Sequence, residues 1–113
     1  MLSKKYRFHS RGGVRYTYKN GKSIRGSRIS LVFAENSRGK QRYAVVVSKK
    51  VLKSAVGRNR IRRRVYEALR LEQTKIQKPV DCIFNVYNRE VATMEFSELQ
   101  SLIHDLLKEA EIV

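Results

Sequence analysis

From Arg28 to Ala34 the side chains alternate, with Ile29, Leu31 and Phe33 on one face and Arg28, Ser30 and Val32 on the other. That period of two is the pattern of a half-buried strand. Tyr43–Ser48 is β-branched and apolar on both faces, which predicts a central strand. Between these runs, Glu35–Lys40 is polar and contains Gly39, the expected hairpin connection. Asp81–Tyr87 reads as a further strand with little charge, expected in the interior, and Ser23–Gly26 is a candidate short edge strand.

Elsewhere the period changes to that of a helix. At about 100° per residue, Ile61, Val65, Ala68 and Leu69 share one face, while Arg60, Arg63, Arg64 and Glu67 share the opposite one. This helix begins near Val56 or Asn59 and ends near Gln73, with Ser54 and Asn59 both candidate N-caps and Lys78-Pro79 closing the segment. A last helix, about Glu95 to Ala110, stacks Phe96, Leu99, Ile103, Leu106 and Ala110 on one stripe, with Thr93 a candidate cap. Between Gly12 and Asn20, Val14, Tyr16 and Tyr18 fit either a strand or a short helix, and residues 1–11 read as an irregular basic lead-in. The resulting order describes one α+β domain over residues 1–113, a small sheet covered by helices.

Charge changes this picture from a generic domain to one with a partner. The formal net charge is +15, and 42% hydrophobic content argues for a folded chain, not a basic tail. The charge is also segregated. Residues 1–70 hold 21 Lys or Arg and two acids, whereas residues 71–113 hold four Lys or Arg and eight acids. The first part therefore carries the polyanion-binding work, and the second reads as scaffold with its carboxylates on outer helix faces.

The densest block is Lys49–Arg64. Lys49, Lys50, Lys53, Arg58, Arg60, Arg62, Arg63 and Arg64 surround the start of a helix that keeps a proper apolar stripe. Charges of one sign cannot neutralise one another, so an anionic partner is expected, and RNA is the leading one. Arg holds two phosphate oxygens in a planar fork, Lys acts as a point charge, and a helix N-terminus adds unpaired N–H groups. Asn59 can cap the helix, hydrogen-bond RNA or hold a hydrated metal ion. Tyr6, Phe8, Tyr16 and Tyr18 are interleaved with Arg7, Arg11, Arg15 and Lys19, a composition that suits stacking on single-stranded nucleotides, although core packing is as good a reading for any one of them.

Protein-borne catalysis finds little support. One cysteine, Cys82, and two distant histidines, His9 and His104, give no zinc-type spacing and no nucleophile–base pair. Asp81 and Glu90 flank a strand without an obvious partner, and Gly12-Gly13 and Gly21 lack a P-loop frame. No catalytic and no metal-ligating residue is predicted. No apolar run is long enough to cross a bilayer, and the basic N-terminus has no apolar segment behind it. A cytoplasmic protein with no membrane contact is the expectation.

Ser48-Lys49-Lys50, followed by Ala55-Val56-Gly57-Arg58-Asn59-Arg60-Ile61-Arg62-Arg63, closely resembles the signature of the bacterial ribonuclease P protein component. Tyr18-Lys19-Asn20-Gly21-Lys22-Ser23 resembles that family's aromatic-basic-x-Gly-Lys-Ser stretch, which follows a first helix; the likeness thus extends over nearly the whole chain. The resemblance implies an αβββαβα two-layer sandwich similar to domain 2 of ribosomal protein S5, with a left-handed βαβ crossover. It implies a protein subunit that binds a catalytic RNA and the 5′ leader of precursor tRNA. The RNA performs the Mg²⁺-dependent cleavage and itself holds most of the Mg²⁺, and no obligate protein partner is expected. Carried over by position, Lys49, Lys50, Arg58, Asn59, Arg60 and Arg63, with Lys53 and Arg62 in the same block, form the RNA-binding surface. Tyr18, with Val14 and Val32 where the family is usually aromatic, lines the leader cleft, and Tyr66 stands at a usually basic position. A small ribosomal protein or a general RNA chaperone is the alternative that composition fits equally well, and an Arg-rich helix in a DNA major groove is a third.

The helical wheel makes a direct prediction. Ile61→Asp buries an unpaired charge and is expected to unfold the domain, whereas Arg60→Ala and Arg63→Ala, on the opposite face, leave it folded. Circular dichroism of the three variants separates the two classes.

Overall fold

The computed structural model describes Arg7, residues 11–36, 39–76 and 78–113, with the backbone alone at positions 11 and 12. The lead-in read over residues 1–11, including Tyr6, Phe8 and His9, lies outside the described residues apart from Arg7 and the Arg11 backbone.

The Gly12–Asn20 stretch resolves as a helix, α1 (Arg11–Asn20). Thr17 is fully buried on its inner face and its hydroxyl donates to the Gly13 carbonyl at 2.8 Å. The helix stops at Gly21, whose N–H bonds the Thr17 carbonyl at 2.8 Å. A Cβ there would stand 2.4 Å from that carbonyl and 2.6 Å from the carbonyl of Phe33, so only glycine lets the helix end lie this close to the sheet.

Four strands follow the predicted alternation: β1 (Lys22–Arg25), β2 (Ile29–Glu35), β3 (Arg42–Val47) and β4 (Val80–Val86). Their order in the sheet is β1-β2-β4-β3. β2 pairs antiparallel with both β1 and β4, and β3 pairs parallel with β4. Two expectations are corrected here. β3 is an edge strand, not a central one, and β2 and β3 form no hairpin because β4 lies between them. The apolar character of β3 on both faces has another cause. Tyr43, Val45 and Val47 face the main core, and Ala44 is buried on the opposite face with Ile83, Val14 and Val32. Burial on two faces says nothing about neighbours at the two edges. Arg7 forms an isolated parallel bridge to Tyr43 and covers part of the open edge.

On one face of the sheet lie α2 (Ala55–Glu72) and α3 (Phe96–Glu109). Ile61, Val65 and Leu69 of α2 meet Leu99, Ile103 and Leu107 of α3 above Ile29, Leu31, Cys82 and Phe84, all fully buried. Each such aliphatic side chain contributes about 1.5–3 kcal/mol by leaving water. The other face is covered in part by α1 through Val14, Val32, Ala44 and Ile83.

Three carboxylates that the sequence left without a partner have one in the fold, and two of them are buried. Asp81 is buried and receives two hydrogen bonds from Arg42, at 2.8 and 2.7 Å, and one from Asn36 at 2.8 Å. Glu90 pairs with Arg28 at 3.1 Å. Glu72 is also buried, with His104 Nδ1 at 2.5 Å and Lys75 Nζ at 2.9 Å, and it ties the end of α2 to α3. Thr93 does not cap α3: it ends a 3-10 turn over Arg89–Ala92, and the extended residue before the helix is Glu95.

Arg42 and Asp81 are both largely withdrawn from water (12% and 7% side-chain exposure), and the Asp81 hydrogen bonds hold the Arg42 guanidinium above its ordinary pKa. Removing one partner strands the other, so Arg42→Ala is expected to cost about 3–5 kcal/mol. Urea denaturation of the purified protein measures this, with Lys40→Ala, an exposed neighbour, as the control that should stay within about 0.5 kcal/mol.

Candidate nucleic-acid interface

The choice between two N-caps is settled by geometry. Ser54 has extended backbone angles (φ −67°, ψ 123°), and its hydroxyl accepts the Gly57 N–H at 3.1 Å. Asn59 lies inside the helix, exposed, where its Oδ1 accepts from Arg62 at 2.7 Å. The preceding loop, residues 48–54, is shaped by two contacts. Leu52 packs so closely on Gly57 that a Cβ there would meet Leu52 Cδ2 at 2.4 Å. The Arg58 guanidinium turns back to donate to the carbonyls of Leu52 and Lys53, at 3.0 and 2.8 Å.

The basic block is thereby sorted. The side chains of Lys49, Lys50, Lys53 and Arg63 are exposed and have no hydrogen-bond or ionic partner among the described residues. Arg58 and Arg62 each use part of the guanidinium on the protein itself. Arg60 does likewise, donating Nε–H to the Ala92 carbonyl at 3.0 Å. The expectation that Arg60 points freely away from the fold is corrected: it braces the turn before α3, so its removal also costs stability. Arg64 is more deeply committed, donating to the carbonyls of Ala92 and Met94, and burial together with the neighbouring Arg60 charge lowers its pKa. Tyr66 is buried, with burial raising its phenol pKa, and the Arg7 guanidinium lies 5.6 Å from its ring centre. It does not present a polar tip to the basic surface.

The second candidate region is the sheet face under α1. Val14 and Val32 pack together against Ala44 and Ile83 and form its floor. Tyr18 stands at the open side, 45% exposed, and its phenol donates to Asn85 Oδ1 at 2.6 Å. Partial burial raises the Tyr18 pKa, and the Asn85 hydrogen bond opposes that shift. The phenol is therefore neutral at ordinary pH.

The two regions meet at one end of the sheet. Val47 pairs with Val86, so the Ser48–Lys50 turn leaves β3 beside Tyr87, and the register sets Arg25 opposite Ser30, Ser30 opposite Asn85, and Asn85 opposite Val46. Asn85, Tyr87 and Arg25 were missing from the sequence-derived site. The usable signal was the alternation of β4, which puts Asp81, Ile83, Asn85 and Tyr87 on the face away from Cys82, Phe84 and Val86.

The ribonuclease P family model matches residues 2–111. The chain belongs to that family. It is 37% identical over 94 residues to the ribonuclease P protein component of Pelotomaculum thermopropionicum, covering 83% of this chain and 82% of that one. Among solved structures it is similar to a Staphylococcus aureus RNase P protein mutant with defective mRNA degradation activity, at TM-score 0.86 and 25% identity, over 97% of this chain and 92% of that one. The RNase P protein from Thermotoga maritima, at TM-score 0.81 and 24% identity over 91% of this chain and 96% of that one, shares the fold. The chain is thus a ribonuclease P protein component, part of a tRNA-processing enzyme with an RNA partner, and has the α+β order inferred from its sequence.

The tight Leu52–Gly57 contact predicts that Gly57→Ala displaces the Leu52 side chain from its seat on α2. Overpacking of this kind costs about 1–3 kcal/mol. Thermal unfolding should register the loss, and amide chemical-shift changes should concentrate in residues 48–58.

Proposed function

We propose that this chain is the RNA-gripping subunit of a ribonuclease P particle. On this reading Lys49, Lys50, Lys53 and Arg63 contact phosphates of the catalytic RNA around the N-terminus of α2. Arg58, Asn59, Arg60 and Arg62 shape that surface and add hydrogen bonds from the parts of their side chains left free. The cleft formed by Val14, Tyr18 and Val32 takes the single-stranded 5′ leader of precursor tRNA. The observation that carries the reading is the set of exposed, partnerless cations on the loop before α2 (Lys49, Lys50, Lys53) and, at Arg63, on the outer face of that helix. Cations with no internal partner are available to phosphates, and each such contact releases counterions from the RNA.

Cleavage is assigned to the RNA. Among the described residues no three His, Cys, Asp or Glu side chains come together in a way that could hold a metal ion, and the surface proposed to meet RNA is basic. These residues do not fit a protein-held Mg²⁺, which we therefore assign to the RNA. The protein would aid the RNA by neutralising phosphate repulsion and fixing the leader.

The test is precursor-tRNA cleavage at low Mg²⁺ by a bacterial ribonuclease P RNA, with and without the protein. Strong stimulation, with no cleavage by the protein alone, is expected; tight RNA binding without stimulation would point to a ribosomal or chaperone role. Arg63→Ala should weaken RNA binding and reduce the slope of log K against log salt by about 0.7–0.9. An unchanged slope would remove Arg63 from the interface.

A further inference from the structure

The Arg25 guanidinium carbon lies 5.4 Å from the centre of the Tyr87 ring. Both side chains are exposed, Tyr87 to 38%, and neither has a carboxylate partner among the described residues. The pair stands on the same sheet face as the Tyr18 cleft. Arg25 ends β1 in the row Arg25–Ser30–Asn85–Val46, and Tyr87 follows Asn85 by two residues, its N–H continuing the ladder to the Arg28 carbonyl at 3.1 Å. Asn85, between the two tyrosines, is already bonded to Tyr18. Tyr87 thus stands about 7 Å along the chain from Asn85, the residue that holds the Tyr18 phenol, and leads from the cleft towards the Ser48–Lys50 turn.

We propose that Arg25 and Tyr87 form a second nucleobase-stacking platform, which extends the leader cleft by one nucleotide towards Lys49 and Lys50. This rests on the leader reading given above. A tyrosine ring backed by a guanidinium is held in place before binding, so less side-chain freedom is lost when a base stacks on it. The ring offers a π-face and no base-specific hydrogen bond, so the platform recognises an unpaired base of any identity. Val46, 39% exposed in the same row, supplies an apolar neighbour that disfavours a phosphate at this point and favours a base.

The experiment uses the full chain bound to ribonuclease P RNA and a series of precursor tRNAs whose leaders lengthen one nucleotide at a time. In the native protein, affinity should rise with leader length. Tyr87→Ala should lose at least about fivefold, the lower end of what one stacking aromatic supplies, and only for leaders long enough to reach the platform. Tyr87→Phe should restore it, and Arg25→Ala should give a smaller loss with the same length threshold. A 2-aminopurine placed at the threshold nucleotide should be quenched by the native protein and by Tyr87→Phe, and bright with Tyr87→Ala. An equal loss at every leader length would make Tyr87 a purely structural residue and overturn the platform. Unchanged affinity and quenching in Tyr87→Ala, with the native length dependence intact, would overturn it while leaving the leader reading in place. A native protein indifferent to leader length would remove both.

Discussion

The parallel pairing of β3 with β4 governs the arrangement of the molecule. A tight turn cannot join parallel neighbours; the chain must travel back along the sheet before the second strand begins. α2 makes that return. Its 18 residues span about 27 Å, enough to run back past the roughly 20 Å of β3. Because the helix starts where β3 stops, its N-terminus and the loop before it are fixed at the C-terminal end of the parallel pair. β4 then enters between β2 and β3 and is buried along most of its length. The basic loop is therefore held at the end of the strand that pairs with the most deeply buried one, and the Leu52–Gly57 contact and the Arg58 hydrogen bonds complete its shape.

A chain with net charge +15 must fold against its own repulsion. It has ten carboxylates for 25 Lys and Arg, so ion pairing cannot absorb the excess. Backbone carbonyls take up part of the load instead. Arg58, Arg60 and Arg64 donate to the carbonyls of Leu52, Lys53, Ala92 and Met94, which satisfies backbone acceptors and leaves the positive charge in place. Two of the scarce acids, Asp81 and Glu72, are buried. Asp81 holds Arg42 against the sheet, and Glu72 joins His104 and Lys75 where α2 meets α3. Acids placed beside Lys49 or Arg63 would stabilise the free protein but would cancel the surface field that a polyanion meets.

Legibility in the sequence followed the range of the forces involved. Periodicity is local, so the strands and α3 could be placed to within a residue or two, the start of α2 stayed open between Val56 and Asn59, and the Arg-Asn-Arg and Ser-Lys-Lys stretches stood out as motifs. Sheet order is not local. Tyr43–Ser48 is apolar on both faces because helices cover both faces, and nothing in its own residues distinguishes that from having a strand on either side. Partners distant in sequence were equally hidden: Arg42 and Asp81 are 39 residues apart, and Arg60 and Ala92 are 32. Hence Arg60, assigned by the helical wheel to a free face, proved to brace a turn. Tyr87 was visible as the end of a strand, but its meeting with Arg25 depends on β1 and β4 flanking β2.

The sheet face opposite α2 and α3 is only partly covered. α1 is only ten residues long and covers only the central part of that face, leaving Asn85, Val46 and Tyr87 accessible beyond its own Tyr18. A longer helix would bury this row and stabilise the sheet, but it would remove the groove. On the reading proposed above, the exposed lysines act through charge and weaken steeply with salt, while the aromatic row acts through stacking, which salt screens little. Grip on a large folded RNA and discrimination of a short single strand would then respond to different conditions, although they adjoin at the end of β4. That separation follows from topology, because β3 delivers the cations to its edge of the sheet while β1, at the opposite edge, brings Arg25 across to β4.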